Sequence, residues 1–185
     1  MKYPEHYQTE LLTAIQSIDL RGVKEAIDVF REARARGNCI FVCGSGDRGT
    51  AAADLLCSLA KRSSIARVMR FRILLLSDDL PEAGAADPLT RDGVFVDQLR
   101  NIVDHSDVVV AVASSGSAAG VLAALDYANR IGCRTISITG GDGGKLAPVS
   151  TVPIVVPASH PGSVEDVLMV VCHMIGYYFV NCDDN

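Results

Sequence analysis

The stretch Val108-Val109-Val110-Ala111-Val112-Ala113-Ser114-Ser115-Gly116-Ser117-Ala118-Ala119-Gly120-Val121 decides the fold. Its first part is continuously apolar and valine-rich, the pattern of a strand buried on both faces. Serine and glycine then interrupt it, and a helical pattern begins at Ala118. A strand that passes through a small-residue turn into a helix is the repeating unit of a parallel α/β sheet. The turn also has a chemical reading. The first N–H groups of a helix are unpaired, and its macrodipole is positive there. Ser114, Ser115, Gly116 and Ser117 therefore offer N–H groups and hydroxyls to an anion, most often a phosphate. The local alternative is that Ser117 is simply the helix N-cap, with no ligand.

The pattern extends in both directions. Upstream, Leu11, Leu12 and Ile15 mark a helix over 7–17. Asp19 reads as the N-cap of a second helix, with Val23, Ala26, Ile27 and Phe30 on one face and Gly37-Asn38 at its end. From Cys39 the period changes. Cys39 to Cys43 reads as a buried strand, and Gly44-Ser45-Gly46-Asp47-Arg48-Gly49 as its exit turn. Thr50 caps a helix to about Arg62 with Ala51, Leu55 and Leu59 inward. Arg70 to Leu76 is a strand, and 77–93 a long acidic loop of the length that usually carries function. Val94 to Ile102 is helix. Downstream, a helix over 118–131 closes at Gly132, and Thr135 to Thr139 is a strand. Gly140 to Lys145 is a turn, Thr151 to Val156 the last strand, and Ser163 opens a long C-terminal helix after the loop 157–162.

These elements predict one domain over 1–185, with leading helices in 1–37 and an αβ core in 38–185. The core is a three-layer sandwich, a five-stranded parallel sheet flanked by helices. In such sheets ligands bind beyond the carboxyl ends of the strands, at the switch in strand order. The turns at Gly44, Ser114 and Gly140 all lie at carboxyl ends.

Composition bounds the function. The chain has 185 residues, 49% hydrophobic and 21% charged, with a net charge of −5, which argues against a basic nucleic-acid surface. No apolar run approaches the ~20 residues that span a bilayer. The N-terminus lacks the apolar core of a signal peptide. The expected location is cytoplasmic, with no membrane partner. Six cysteines show no CxxC or zinc-ribbon spacing, and most of them read as small hydrophobes within or beside apolar strands and helices. Gly44-Ser45-Gly46-Asp47-Arg48-Gly49 also matches GxGxxG between strand and helix, and Asp78 follows the next strand. A dinucleotide-binding oxidoreductase is therefore a competing reading. Against it, the chain places a second small-residue turn at another strand end, and two helices precede the motif.

The order of motifs resembles the sugar isomerase (SIS) domain, and within it the phosphoheptose isomerases. The residues that carry it are Gly44-Ser45-Gly46, Asp87 with Asp92-Gly93-Val94-Phe95, Ser114-Ser115-Gly116-Ser117, and Thr139-Gly140-Gly141-Asp142-Gly143-Gly144-Lys145. The resemblance implies a phosphosugar ligand held by Ser45, Gly46, Asp47, Arg48, Asp87 and Ser114 to Ser117, and a homotetramer. It also implies isomerisation of sedoheptulose 7-phosphate between ketose and aldose. That chemistry moves a proton between neighbouring carbons through an enediol, with a base near neutral pKa and a group to hold the oxyanion. The resemblance assigns the catalytic positions to Asp54, Glu165 and His173. Where the family carries a His and a Glu four residues apart, this chain has Asp54 and Ser58. Where it carries a Gln and a His eight apart, the chain has Glu165 and His173. Ala113 and Ala118 replace serines at the phosphate turn, and Asp47-Arg48 replaces Gly-Ser, so that Arg48 can supply a bidentate guanidinium. The lost ligands disfavour zinc, and no metal site is expected. They leave room for a non-catalytic sugar-phosphate binder, similar to the relative that assembles with the replication initiator. His6, His105 and His160 show no partner in the sequence, though His160 lies close enough to the last helix to reach a pocket.

Overall fold

The computed structural model describes residues 2–44, 49–62, 69–76 and 93–182. Among these residues the α-helices and strands follow one another as α1 (Tyr3–Gln16), α2 (Leu20–Arg36), β1 (Cys39–Gly44), α3 (Gly49–Cys57), β2 (Arg72–Leu76), α4 (Val94–Ile102), β3 (Val108–Ala113), α5 (Ala119–Arg130), β4 (Arg134–Gly140), α6 (Leu146–Val149), β5 (Val152–Val156) and α7 (Pro161–Asn181). All four strand pairings are parallel, in the order β2-β1-β3-β4-β5. The three-layer sandwich with two leading helices is therefore the observed fold. The strand order reverses between β1 and β3, which puts the switch point at the ends of these two strands.

Alternation along the strands builds the two cores. Ile40, Val42, Val108, Val110, Val112, Ile136 and Ile138 point to the layer made by α1, α2, α3 and α7. Phe41, Cys43, Val109, Ala111 and Ala113 point to the layer of α4, α5 and α6. Phe30, Phe41, Phe95 and Phe179 are among the large side chains buried completely. Each contributes roughly 1.5–3 kcal/mol relative to exposure. The buried Asp107 is structural: its carboxylate accepts the Cys39 N–H at 2.8 Å and the Asp104 N–H at 2.9 Å, tying β1 to the start of β3.

Local chemistry explains the boundaries. Asp19 accepts the Arg21 N–H at 2.9 Å as the cap of α2, and the Arg21 side chain holds that carboxyl below its usual pKa. Gly37 ends α2 in the left-handed region at φ 72°. Two helix starts need correction. Helix α1 begins at Tyr3 rather than Tyr7, because Pro4 suits a first helical turn. Likewise α7 begins at Pro161, ahead of Ser163. Helix α7 is 21 residues long and, by length and composition only, could cross a membrane; yet Glu165, Asp166 and His173 interrupt it, and half of its apolar window is buried inside the domain. Its inward residues Val167, Leu168, Val171, Ile175 and Phe179 belong to the core. All six cysteines are free. Burial pushes the thiol pKa of Cys43 and Cys172 up to about 12, and that of Cys133 to about 11.

Helix α3 does not run evenly to Arg62. It passes into a π-helical turn over Ser58–Arg62, a distortion that recurs near functional sites. Ser58 is fully buried and lies against α7. A Cβ placed on Gly176 would stand 2.4 Å from the Ser58 Cβ. Two small residues thus allow the helices to touch. Overpacking costs about 1–3 kcal/mol, while alanine gains about 0.8–1.0 kcal/mol over glycine in helix propensity. So close a contact belongs at the upper end of that range. Gly176→Ala should therefore destabilise the protein by about 1–2 kcal/mol, read by urea unfolding. Adding Ser58→Gly should remove the clash, making the double variant more stable than the sum of the single effects. Strict additivity would show that the contact carries no strain.

Candidate functional site

The serine turn follows β3 at the switch point. The N-cap of α5 is Ala118, with no side-chain cap hydrogen bond. The local alternative, Ser117 as the cap, is thus not the one observed. The physical reason is one residue of register: the chain is still in a turn at Ser117 and enters the helix only after Ala118. Ser115 and Ser117 are exposed, Ser114 is half-buried and Gly116 is buried. The one side-chain bond within the turn runs from the Ser117 N–H to Ser115 Oγ at 3.4 Å. The first turn of α5 contains no acidic residue. The positive end of a 12-residue helix and three serines therefore face the same side of the sheet.

The turn is buttressed by an element that the sequence reading treated as a separate motif. Gly116 C=O accepts the N–H groups of Lys145 at 2.9 Å and Leu146 at 3.1 Å. A Cβ on Gly116 would stand 2.0 Å from the Gly143 carbonyl oxygen. Gly143 and Gly144 adopt φ values of 79° and 47°, in the left-handed region. Asp142 accepts the Gly144 N–H at 2.9 Å and steadies the bend. The paired glycines were the sequence signal for this support. Val164 of α7 closes the other side: a Cβ on Gly140 would meet it at 2.4 Å and the Ser114 carbonyl at 2.5 Å. The ends of β3 and β4 and the first turn of α7 thus form one rigid corner.

Asp54 and His173 meet across the α3–α7 contact. His173 Nε2 lies 3.0 Å from Asp54 Oδ2, with side-chain exposures of 43% and 22%. The Tyr177 ring stands edge-on to the imidazole, 5.5 Å between centroids. The pair meets at an ion-pair distance, a carboxylate beside a half-exposed imidazole, which is the neighbourhood an acid–base group needs. Glu165 is exposed, eight residues earlier on α7 and roughly 12 Å away along the axis. It makes no hydrogen bond or ion pair with the other two among the described residues. Of the three expected catalytic positions, two are thus in contact and one is apart. Ser45, Gly46, Asp47, Arg48, Asp78 and Asp87 lie outside the described residues.

Zinc sites usually take three protein ligands or more. Here the pair supplies two donors, and Ser58 is a neutral hydroxyl packed under Gly176. Among the described residues, no three His, Cys, Asp or Glu side chains are grouped to hold one ion. That donor set does not fit a zinc centre.

Fold and corner together define a doubly wound α/β protein with a serine-rich turn at its switch point. The profile of the SIS domain matches residues 5–140. The chain is 32% identical over 156 residues to a phosphoheptose isomerase of Chlorobaculum tepidum, covering 83% of this chain and 71% of that one. It is 27% identical over 166 residues to a phosphoheptose isomerase of Citrifermentans bemidjiense, covering 90% and 86%. The structure of a phosphoheptose isomerase from Francisella tularensis superposes with a TM-score of 0.84 at 18% identity, covering 96% and 94%. The chain belongs to the SIS domain family, in its phosphoheptose-isomerase-like group.

Proposed function

We propose that the protein binds a sugar phosphate, the phosphate seated on Ser114, Ser115, Gly116 and Ser117 at the head of α5. The observation that carries this reading is the uncapped start of α5. Its serine hydroxyls are spent on no helix cap, and its N–H groups open at the switch point. Ser45, Gly46, Asp47, Arg48 and Asp87 complete the ligand shell in this reading. The names of the relatives, phosphoheptose isomerases, support a heptose phosphate as the ligand, and the family resemblance implies sedoheptulose 7-phosphate. Thermal shift tests it: sedoheptulose 7-phosphate should raise the melting temperature, whereas NAD and NADP should not. Stabilisation by a dinucleotide alone would favour the oxidoreductase reading.

If chemistry follows binding, His173 moves the proton of a ketose–aldose exchange, Asp54 holds its ring, and Glu165 acts from the rim. The separation of Glu165 and the burial of Ser58 favour a second reading, a binder with little or no turnover. The same proposal includes a homotetramer. Tyr3, Leu12 and Leu20 on or beside the leading helices are 66%, 53% and 58% exposed, apolar surface that a neighbouring copy would cover. Light scattering should give about four times the 19.6 kDa chain mass. A monomer at micromolar concentration would remove that part of the reading.

A further inference from the structure

The bend between β4 and α6 brings a cation to the serine turn. Gly116 C=O accepts the N–H groups of Lys145 and Leu146, at 2.9 and 3.1 Å. The two backbones touch beside this link: a Cβ on Gly144 would stand 2.7 Å from the Gly116 carbonyl carbon. The Lys145 backbone is thus fixed against the turn, at the carboxyl edge of the sheet where β3 and β4 both end. No other lysine or arginine among the described residues is hydrogen-bonded to residues 114–117.

The Lys145 side chain, by contrast, is uncommitted. It is exposed, and its ammonium makes no ion pair or hydrogen bond among the described residues. Asp142, the acid earlier in the same bend, accepts the Gly144 N–H at 2.9 Å instead. The first turn of α5 holds no acid either.

Charge arithmetic gives this neighbour a use. A phosphate monoester carries about 1.5–2 negative charges near neutral pH. A helix start offers about half a positive charge, and serine hydroxyls are neutral. The turn alone therefore leaves about one negative charge of such a ligand uncompensated. An ammonium supplies one unit, as a point charge on a flexible four-carbon stem.

We propose that the Lys145 ammonium is the counter-charge of the phosphate on the serine turn, and that it selects a doubly charged phosphate monoester over a singly charged acid or a neutral sugar. The proposal rests on the reading of that turn as the phosphate seat, and adds to it the residue that reads the ligand's charge.

Isothermal titration calorimetry of the full chain with sedoheptulose 7-phosphate and with inorganic phosphate, at low and at high salt, tests it. Lys145→Gln should weaken binding about ten-fold at low salt. The deficit should shrink at high salt, where the charge is screened. Lys145→Glu should weaken binding further, whereas Lys145→Arg, which keeps the charge, should bind nearly as tightly as the wild type. The melting temperature of the unliganded protein should stay the same in all three variants, because the bond to Gly116 uses the Lys145 N–H and not its side chain. Gluconate, a singly charged sugar acid, should compete poorly with sedoheptulose 7-phosphate in the wild type and gain ground in Lys145→Gln. Affinity and selectivity indifferent to both Lys145→Gln and Lys145→Glu would overturn the proposal and leave Lys145 a solvated surface charge. A loss that salt does not change, or that Lys145→Arg shares, would overturn it too, since neither is the mark of a charge. Failure of the seat itself reads differently: Ser115→Ala with Ser117→Ala would then leave the affinity unchanged, whatever Lys145 does. Absence of saturable binding of either probe by the wild type would overturn seat and counter-charge together.

Discussion

Ser115→Ala combined with Ser117→Ala should weaken sugar-phosphate affinity at least ten-fold in isothermal titration calorimetry, with little change in the melting temperature of the unliganded protein. The two halves of that result have separate causes. Each hydroxyl lost from a charged phosphate removes roughly 1.5–3 kcal/mol, and 1.4 kcal/mol is already a factor of ten. Folding loses little, because both side chains are exposed. Their one bond within the turn is long, at 3.4 Å. Gly116→Ala should behave in the opposite way. Its Cβ would collide with the Gly143 carbonyl and force the Lys145 and Leu146 N–H groups off the Gly116 oxygen. It should lower stability and affinity together. Unchanged affinity in the double-serine variant would remove the phosphate from this turn.

The layered fold was legible because its strands are buried on both faces and therefore read as unbroken apolar runs. Val108 to Ala113 is the clearest case, with every residue buried. What the runs could not convey was how one turn leans on another. The link from Gly116 to Lys145 and Leu146 joins residues nearly thirty positions apart, and only the paired glycines hinted at it. The cap of α5, at Ala118, is a related case. Serine is a good cap by propensity, but tertiary contacts at Gly116 hold the chain in a turn one residue longer. Helix pairing was the least legible feature. Ser58 looked like a vacancy left by a lost carboxylate. In the structure it is half of a close helix contact whose other half, Gly176, has no marker in the local sequence. The contact between Asp54 and His173 followed from family register, not from any spacing within the chain. Glu165 shared that register, yet it lies one helical stretch away from the pair.

The largest expected effect concerns turnover. Purified protein should carry well under one zinc per chain, and its isomerisation of sedoheptulose 7-phosphate should run at least a hundred-fold below an intact phosphoheptose isomerase. General acid–base catalysis is commonly worth about 10²–10⁴ in rate. In the proposed reaction the proton carrier is the His173 imidazole, 3.0 Å from the Asp54 carboxylate. The chain lacks a carboxylate at Ser58, where the buried hydroxyl cannot serve as a base near neutral pH. Restoring the acid would not repair the site, because Ser58 is fully buried against Gly176 and a glutamate there would drive α3 from α7. Ser58→Glu should therefore lower stability without raising turnover. Any residual rate should disappear with His173→Asn. Asp54→Asn should reduce kcat more than it raises KM, since Asp54 acts through the imidazole rather than on the sugar. Glu165→Gln should abolish the residual rate only if the exposed carboxylate swings over the bound sugar. An unchanged rate in that variant would leave His173 as the proton carrier and remove Glu165 from the reaction. Stoichiometric zinc by elemental analysis, together with family-level turnover, would show that Asp54, His173 and Glu165 form a working metal site in the presence of substrate. The reading of this protein as a binder would then be wrong.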